Sequence, residues 1–462
     1  MSTASLAPIF DPEMIRRYDV AGPRYTSYPT APHFSEAYGP TEYLANLRKP
    51  EVQKAEEVSL YFHLPFCRSV CYFCACNVTF TGDRQRGVGY GEALKKEMDL
   101  VLAGLGGPKP VRQLHWGGGT PTFSPPEILD VIAGSIRERW PFAPGGEIGV
   151  EVDPRETTTA HLEVLAKHGF NRVSMGVQDF DPGVQRAVHR NQPYELTRNT
   201  IVTARALGFN SVNVDLIYGL PRQTMATFSD TISRILELSP DRVALFNFAY
   251  LPDMVRHQRV IKPEELPPPG EKLRILGMAI ERFTSAGYVY IGMDHFARPD
   301  DELALALKAG TLWRNFQGYT THAGLDLYGF GVTAISQIGS TYSQNLKDVP
   351  GWEAALAEGR LPTKLGIELT AEDRLRRAVI YALMCQFRVD KARVNAEFGI
   401  DFDRHFATEL EALAPLEADG LVRRGADAVE VAPAGRLLVR NVAMTFDAYF
   451  KPGAPRRFSR TI

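Results

Sequence analysis

The stretch YFHLPFCRSVCYFCACN, residues 61–77, places four of the chain's five cysteines within ten residues, directly after a run typical of a buried β-strand. The spacing is C-x3-C-x2-C at Cys67, Cys71 and Cys74, and Cys76 follows two residues later. Thiols concentrated in one short segment, with an odd total number, are typical of metal binding in a reducing compartment rather than of a disulfide framework. The segment therefore predicts a metal centre at the end of a strand.

The cysteine spacing could suit a zinc site or an iron–sulfur cluster, and it suits the cluster better. Structural zinc sites commonly join two ligand pairs separated by roughly a dozen residues, and no second pair follows here, although zinc bound by all four thiolates stays an alternative. An iron–sulfur cubane suits closely spaced thiolates, and three ligands leave one iron open. An open iron is a catalytic feature, so the cubane is the preferred interpretation.

The surrounding sequence alternates between strand-like and helix-like runs. Between the strands, helical spacing places Tyr90, Leu94, Met98, Val101 and Leu105 on one face. The strand-like runs are rich in β-branched and aromatic residues and occupy residues 58–66, 111–119, 147–154, 171–180, 210–221 and 242–252. Strands that alternate with helices form parallel sheets, and six such units predict an α/β fold with a partial (β/α)6 TIM-like barrel.

The domain organisation follows from this barrel. We predict an N-terminal arm over residues 1–52, the partial barrel over 53–290, and a barrel extension with an active-site loop over 291–362. Residues 363–462 predict a smaller, mostly helical, winged-helix-like cap that begins with a capped helix and continues with short strands. Because it shows no concentrated basic face, we interpret it as a cap over the barrel rather than as a nucleic-acid reader.

Composition excludes several classes of partner. The 462 residues are 44% hydrophobic and 23% charged, with a formal net charge of −2, which offers no general attraction for nucleic acid or an anionic membrane. The sequence has neither a secretory pattern at its start nor an apolar run long enough to span a bilayer. We therefore expect a cytoplasmic protein with no membrane and no nucleic-acid partner.

Polar residues recur at the carboxyl ends of the predicted strands. One such residue alone would suit a helix N-cap or a hydrogen-bonded core position, but active sites of parallel barrels gather at this end. Their repetition predicts an active site there, beside the cysteines. They are Glu151, Asp153, Gln178, Asp179, Asn213, Asp215, Tyr218, Asn247 and Tyr250.

The cysteine spacing, with Phe73 just before the third cysteine, resembles the signature of the radical S-adenosylmethionine (SAM) superfamily. The sequence GGGTP at residues 117–121, at the end of the second strand, resembles the glycine motif of that superfamily. The resemblance implies a [4Fe–4S] cluster on Cys67, Cys71 and Cys74. It also implies that SAM chelates the open iron and is cleaved to a 5′-deoxyadenosyl radical.

Three further stretches narrow the resemblance to oxygen-independent coproporphyrinogen III oxidases. They are PRYTSYPTA at residues 23–31, YFHLPFC leading to the cluster with Cys76 beyond it, and NFQGYTT at 315–321. This family converts two propionates of coproporphyrinogen III into the vinyl groups of protoporphyrinogen IX during haem biosynthesis. The resemblance implies two SAM molecules, a flavodoxin- or ferredoxin-like electron donor and a monomer. A related radical SAM haem chaperone is the alternative, but it would be expected to lack both the 23–31 stretch and Cys76.

The same resemblance assigns cofactor contacts position by position. Contacts to the first SAM are implied for Tyr61, Phe73, Gly118, Glu151 and Ile335. Contacts near the second are implied for Gly119, Thr120, Gln178, Arg190, Asp215 and Ala249. Arg190 suits a carboxylate through its planar fork, and ionised carboxylates suit ribose hydroxyls or an ammonium group.

Other residues receive separate expectations. We interpret Cys76 as a non-ligand, Cys385 as a buried core residue and His63 as structural. Arg24 is the first candidate for a substrate carboxylate, with an exposed, solvated arginine as the alternative. Residues 315–321 are a candidate lid, or else an ordinary loop.

Overall fold

The computed structural model describes residues 7–450 and 460. Its strands are β1 Val58–Leu64, β2 Phe66–Cys67, β3 Thr79–Phe80, β4 Val111–Gly118, β5 Phe142–Val152, β6 Arg172–Gln178, β7 Ser211–Tyr218, β8 Arg242–Asn247, β9 Val289–Gly292, β10 His295–Ala297, β11 Trp313–Asn315, β12 Gly318–Thr320, β13 Asp326–Phe330, β14 Ile335–Ile338, β15 Thr341–Asn345, β16 Thr363–Glu368, β17 Arg388–Asp390, β18 Val422–Arg424 and β19 Ala428–Val431.

The α-helices are α1 Pro12–Tyr18, α2 Pro40–Leu47, α3 Pro50–Gln53, α4 Arg86–Leu105, α5 Pro126–Arg139, α6 Thr159–Lys167, α7 Pro182–Ala187, α8 Tyr194–Ala206, α9 Met225–Leu238, α10 Pro269–Ser285, α11 Glu302–Ala309, α12 Val349–Ala357, α13 Ala371–Gln386, α14 Lys391–Phe398, α15 Phe402–His405, α16 Ala407–Ala412, α17 Ala414–Ala418 and α18 Val439–Met444. Short 3-10 helices span Ala31–His33, Pro121–Phe123, Arg256–Val260, Pro263–Glu265 and Pro433–Leu438.

The main sheet confirms the predicted partial barrel. Its order is β16-β15-β14-β13-β1-β4-β5-β6-β7-β8-β10-β9, and the six strands predicted from sequence are β1 and β4 to β8, paired side by side in parallel. Helices cross between them, so both faces of strands such as β1 are buried, which explains their nearly continuous apolar runs. All carboxyl ends of the six strands consequently point to one end of the sheet.

Strands outside the six extend both edges of this sheet. β13 pairs in parallel with β1 and is a seventh parallel strand that the sequence analysis did not predict; β14 to β16 continue in antiparallel order. At the other edge, β10 pairs antiparallel with β8 and with β9. The sheet is therefore open, with β16 and β9 at its edges.

Helix α4 shows how the predicted apolar face is used. The five residues predicted for that face are all buried. The helix ends at Gly106, whose φ of 80° supplies the left-handed C-cap. Burial of this face fixes α4 against the β1 and β13 side of the sheet.

The C-terminal region has its own small sheet, β17-β19-β18, flanked by α13 to α18. Its first helix begins at a Thr370 capping box closed by Asp373, as the sequence predicts. Cys385 on this helix is 1% exposed, which confirms it as a core residue. The domain boundaries themselves stay predictions.

The N-terminal arm is held by this C-terminal region. Arg440 donates from Nε to the Pro23 carbonyl at 2.9 Å, and the Tyr25 hydroxyl donates to Asp447 at 2.9 Å. Tyr25 and Tyr28 are fully buried. The arm is therefore part of the packed structure beside the barrel, and residues 1–6 of the predicted arm lie outside the described residues.

Within the described residues, no helix combines the length and apolar character that crossing a bilayer requires.

Candidate active site

The cysteine-bearing loop leaves β1 at the carboxyl end of the sheet. Its backbone is fixed by hydrogen bonds from Tyr72 N to the Val188 carbonyl at 2.9 Å and from Cys74 N to the Cys71 carbonyl at 3.0 Å. The Cys67 Sγ lies 3.4 Å from the Thr120 hydroxyl at the end of β4. The loop thus holds the thiols against the neighbouring strand end.

One cavity brings together most of the residues predicted for the site. It is lined by the three predicted ligands Cys67, Cys71 and Cys74, and by Phe73, Cys76, Gly118, Gly119, Thr120, Glu151, Asp153, Gln178, Arg190 and Asp215. These residues come from the cysteine loop and from strand ends β4 to β7, except Arg190, which lies between α7 and α8. The prediction that polar strand ends and cysteines share one site agrees with this geometry.

Three predicted contacts lie outside the lining of this cavity. The Tyr61 hydroxyl is 3.0 Å from His63 Nδ1, and its ring stacks on His115, beside Glu151. Ala249 accepts a hydrogen bond from Gln258 Nε2 at its carbonyl. Ile335 lies on β14, beyond β13 from Tyr61, and packs in a small apolar cluster with Phe34 and Tyr342. For these three residues the roles implied by the resemblance stay predictions.

The glycines at the end of β4 are required by close packing. A Cβ on Gly118, whose φ is 112°, would lie 2.7 Å from the His63 ring, and one on Gly119 would lie 2.6 Å from the Pro65 carbonyl carbon. His63 is itself buried and lies 2.9 Å from the Asn77 carbonyl, and its structural role stays a prediction. The strand carrying the cysteines and the strand carrying the glycines can approach each other only without side chains here.

Two carboxylates inside the cavity differ in protonation. Burial raises the pKa of Glu151, but His115 Nε2 at 3.3 Å and the Gly118 N–H at 3.3 Å outweigh it, so the pKa lies below its usual range. Burial and the nearby charge of Glu151 raise the pKa of Asp215 to about 7, although Asn213 donates to it at 2.9 Å. Glu151 is therefore an ionised acceptor, whereas Asp215 titrates near neutrality.

Arginines surround the second cysteine. Arg190 donates to Asp153 at 3.1 Å and to the Gly176 carbonyl at 2.7 Å, and its Nη1 lies 3.6 Å from Cys71 Sγ. Arg155 donates to Asp153 at 2.7 Å and to Cys71 Sγ at 3.3 Å. Burial raises the pKa of Asp153, yet the two guanidinium groups bring it to about 2. The sequence analysis missed Arg155; its position two residues after a strand-end aspartate was the available signal.

Buried polar atoms without partners indicate where a ligand fits. Among the described residues, Gln178 Oε1 and Arg190 Nε are buried and have no hydrogen-bond partner. Gln178 also has a φ of 68°, an unfavourable conformation for a non-glycine residue that is commonly found at functional sites. Both side chains line the cavity, so a polar cofactor there would satisfy them.

The donor set also bears on the type of metal centre. In the described part of the chain, no three histidine, cysteine or acidic side chains converge on a site for a single ion. The thiols instead line a shared cavity, and all are free of disulfides. This arrangement fits a cluster with several irons better than the alternative of one zinc ion.

The structure changes the expectations for two peripheral features. Arg24 is not the exposed, solvated side chain of the alternative reading, because it forms an ion pair with Asp294 and keeps 35% of its side-chain surface accessible. Residues 315–321, the candidate lid, form much of the β11–β12 hairpin, in which Asn315, Tyr319 and Thr320 are buried. The segment is therefore packed rather than an irregular exposed loop, and its role as a lid stays a prediction.

Comparison with known proteins identifies the family. Residues 61–235 match the radical SAM superfamily, and residues 369–438 match the HemN C-terminal domain. The oxygen-independent coproporphyrinogen III oxidase of Pseudomonas aeruginosa is 47% identical over 98% of this chain and 99% of its own. The enzyme of that name from Escherichia coli is 46% identical over 98% of both chains.

A solved structure agrees with these relatives over the whole fold. The structure of coproporphyrinogen III oxidase (HemN) from Escherichia coli, described as a radical SAM enzyme, superposes with a TM-score of 0.91 at 44% identity, covering 96% of this chain and 100% of that one. The resemblance stated from the motifs is thereby confirmed. The chain belongs to the oxygen-independent coproporphyrinogen III oxidase family of the radical SAM superfamily.

Proposed function

We propose that this chain converts two propionate side chains of coproporphyrinogen III into vinyl groups, yielding protoporphyrinogen IX for haem biosynthesis without oxygen. The observation that carries the proposal is the cavity in which the three spaced cysteines meet glycines and carboxylates from strand ends and arginines from the loops beyond them. Relatives of nearly equal length that bear the oxidase name support the same reaction. Among them the haem-chaperone alternative finds no support.

The cofactors of the family are a [4Fe–4S] cluster and SAM, with two SAM molecules implied for this branch. When bound, they would supply a 5′-deoxyadenosyl radical to take a hydrogen atom from the propionate β-carbon, and loss of CO2 would then require an external acceptor for one further electron. An unactivated C–H bond offers no group for acid–base catalysis, so the protein supplies position, electrostatics and exclusion of water.

The cavity residues divide into cluster-holding and SAM-holding groups in this proposal. Cys67, Cys71 and Cys74 hold the iron, and Cys76, exposed beside Cys74, is a non-ligand. Glu151, ionised by His115, accepts hydrogen bonds from hydroxyl or ammonium groups of the first SAM.

The second SAM position uses the atoms that lack partners. Within the described residues, Gln178 Oε1 and Arg190 Nε have no hydrogen-bond partner, and both residues line the cavity together with Gly119 and Thr120. A carboxylate bound there accepts from Arg190 Nε, and an ammonium group donates to Gln178 Oε1, so a ligand that carries both groups satisfies both residues. The contacts of Tyr61, Phe73, Gly118, Asp215, Ala249 and Ile335 complete the proposed cofactor set.

The setting of the reaction is also part of the proposal. We place the enzyme in the cytoplasm as a monomer, with reduction by a flavodoxin- or ferredoxin-like donor. The five free cysteines support a reducing compartment. The predicted division into arm, barrel at 53–290, extension at 291–362 and cap at 363–462 stands as the proposed domain organisation.

The test is an anaerobic assay of the full chain. Protein reconstituted with iron and sulfide is mixed with dithionite, SAM and coproporphyrinogen III, and the products are separated by chromatography. Substrate-dependent formation of 5′-deoxyadenosine together with protoporphyrinogen IX is expected. If cluster-loaded protein forms deoxyadenosine but no decarboxylated product, the substrate assignment is overturned. If it forms neither of the two products, the chaperone alternative is open again.

A further inference from the structure

A second group of ionisable residues lies on the inner face of the sheet, away from the cysteines. It consists of Arg24, Asp294, His295, Arg314 and Arg440, and we refer to it as the arginine cluster. Asp294 and Arg24 form an ion pair, and the charge of Arg440 acts on both. The charge of Arg314 acts on His295 and on Arg440. The group therefore forms one electrostatic unit.

Arg314 is the unusual member. It lies on β11 and is 2% exposed, with its guanidinium carbon 4.8 Å from the centre of the Tyr319 ring. Within the described residues, its Nε and Nη1 have no hydrogen-bond partner. Burying a guanidinium with unsatisfied donors is costly unless another group completes it. Each free N–H of this guanidinium can donate to an anionic oxygen, and carboxylates are common partners of arginine.

The charge balance of the cluster leaves room for an anion. Asp294 is already paired with Arg24. Arg440 donates from Nε to the Pro23 carbonyl at 2.9 Å and from Nη1 to the Arg460 carbonyl at 3.1 Å. Burial and the charge of Arg314 lower the pKa of His295 to about 3, so this ring is neutral. Within the described residues, Arg24 is thus paired with Asp294, whereas Nε and Nη1 of Arg314 have no hydrogen-bond partner.

Strand register places this cluster in line with the cofactor cavity. Asp215 on β7, which lines the cavity, pairs with Ala244 on β8, and Ala244 pairs with His295 on β10. Paired residues share one face of a sheet, and two strand spacings amount to about 10 Å. The Arg24 guanidinium carbon lies 5.7 Å from the centre of Phe246, two residues along β8 from Ala244. The cluster therefore stands beside the cavity on the same inner face.

We propose that Arg24 and Arg314 form a carboxylate-binding site that holds propionates of the tetrapyrrole that are not reacting. Arg314 supplies free donors at the buried end, and Arg24, with part of its surface accessible, supplies the charge at the open end. The inference rests on the proposed function, because it takes its ligand class from that reaction. In this proposal, the cysteine cavity binds the cofactors and the arginine cluster binds the carboxylates of the substrate.

The test compares binding of charged and uncharged forms of the substrate. Equilibrium dialysis without oxygen and without SAM gives the affinities for coproporphyrinogen III and for its tetramethyl ester, so that no turnover intervenes. Unmodified protein is expected to prefer the free acid by about 100-fold, and Arg314→Gln and Arg24→Gln each to reduce this ratio at least tenfold. A purely structural role would weaken both ligands equally and leave the ratio unchanged.

The matched control is Arg242→Lys. Arg242 is another arginine of the inner face, but it already has a carboxylate partner, Asp301, at 2.8 Å. Its variant should keep the acid-to-ester ratio of the unmodified protein. If Arg314→Gln fails to fold, Arg314→Lys keeps the charge without the fork, and an intermediate ratio is expected. An unchanged ratio in the folded Arg314 variant and in Arg24→Gln would overturn the inference.

Failure of the inference can be told apart from failure of the proposed function. Turnover to protoporphyrinogen IX with unchanged ratios in the variants would reject the carboxylate site alone. Preferential binding of the free acid, lost in the variants, without any decarboxylated product would reject the proposed reaction and keep the site. Absence of binding to either ligand would overturn both.

Discussion

The cysteine side and the arginine side of the barrel end are built in different ways. The cysteine side joins one continuous loop to the ends of the strands beside it, and its groups pair closely: Cys67 with Thr120, and Cys71 with Arg155. The arginine side joins residues as far apart as Arg24 and Asp294, separated by 270 positions. The cysteine side has unpartnered atoms at Gln178 and Arg190 beside its thiols, whereas the unpartnered donors of the arginine side belong to Arg314. This difference separates residues that hold the cofactors from residues that hold substrate charge.

The largest effect is expected from the cluster ligands. Cys67→Ser, Cys71→Ser or Cys74→Ser replaces a soft thiolate with a hard hydroxyl, and activity should fall on the order of 10³-fold or more with loss of iron. Iron analysis and the deoxyadenosine assay measure this. Binding of coproporphyrinogen III should persist, because the arginine side is untouched.

Cys76→Ser and Cys385→Ala are the controls for these variants. Cys76 is predicted to be a non-ligand, and Cys385 is buried in the core of α13. Both should keep the full iron content. Full iron in a variant of one of the three spaced cysteines would remove that residue from the ligand set.

The next effect tests how closely the two strands of the cysteine side approach. Gly119→Ala places a Cβ 2.6 Å from the Pro65 carbonyl carbon, so the backbone must shift, at a cost of about 1–3 kcal/mol. SAM cleavage should fall strongly while porphyrinogen binding stays within a few-fold. Gly134→Ala in α5 is the control, since its nearest new neighbour lies at 3.9 Å. That variant should gain about 0.5–1 kcal/mol of stability and keep activity.

A smaller effect is expected at Arg155, which the sequence analysis missed. Arg155→Met removes the hydrogen bond to Cys71 Sγ and one partner of Asp153, and should lower activity about 10- to 100-fold with the cluster still assembled. A spectroscopic redox titration measures the reduction potential of the cluster. A shifted potential in the Arg155 variant would distinguish a direct effect on the cluster from misfolding. Arg112→Met, which breaks an ion pair with Glu57 near the start of β4, should leave that potential unchanged. Equal potentials in all three proteins would contradict the role of Arg155.

The smallest effect on chemistry is expected at the support behind the cysteine side. Glu97 on α4 is 2% exposed and accepts hydrogen bonds from Gly331 N, Asn345 Nδ2 and Trp352 Nε1. Burial raises the pKa of Glu97 to about 8. Between about pH 5 and 8, Glu97 is therefore protonated in the folded state but ionised in the unfolded state.

Stability from Glu97 is therefore present below its unfolded pKa and is lost as the pH rises toward 8, by about 3–5 kcal/mol. Glu97→Gln should flatten that part of the stability profile, measured by denaturant unfolding of the apoprotein, and should change turnover less than twofold. A profile that keeps its slope in the variant would assign the pH dependence to other groups.

The sequence predicted the cysteine side of the barrel end better than the arginine side. The six parallel strands and the buried face of α4 were predicted because their periodicity is local, and the cysteine and glycine motifs because each is contiguous. β13 was not predicted as a seventh parallel strand, since its partner β1 lies more than 260 residues earlier in the chain. Arg314 gave no signal at all, because its burial and free donors exist only after the hairpin packs against the sheet.

The central claim is that a radical formed at the cysteine side removes hydrogen from a substrate propionate. It is tested most directly with coproporphyrinogen III deuterated at the propionate β-carbons, incubated anaerobically with the reconstituted enzyme, dithionite and SAM. Mass spectrometry of the 5′-deoxyadenosine should show deuterium transferred from the substrate, in step with protoporphyrinogen IX formation. Unlabelled deoxyadenosine accompanying a decarboxylated product would contradict the account.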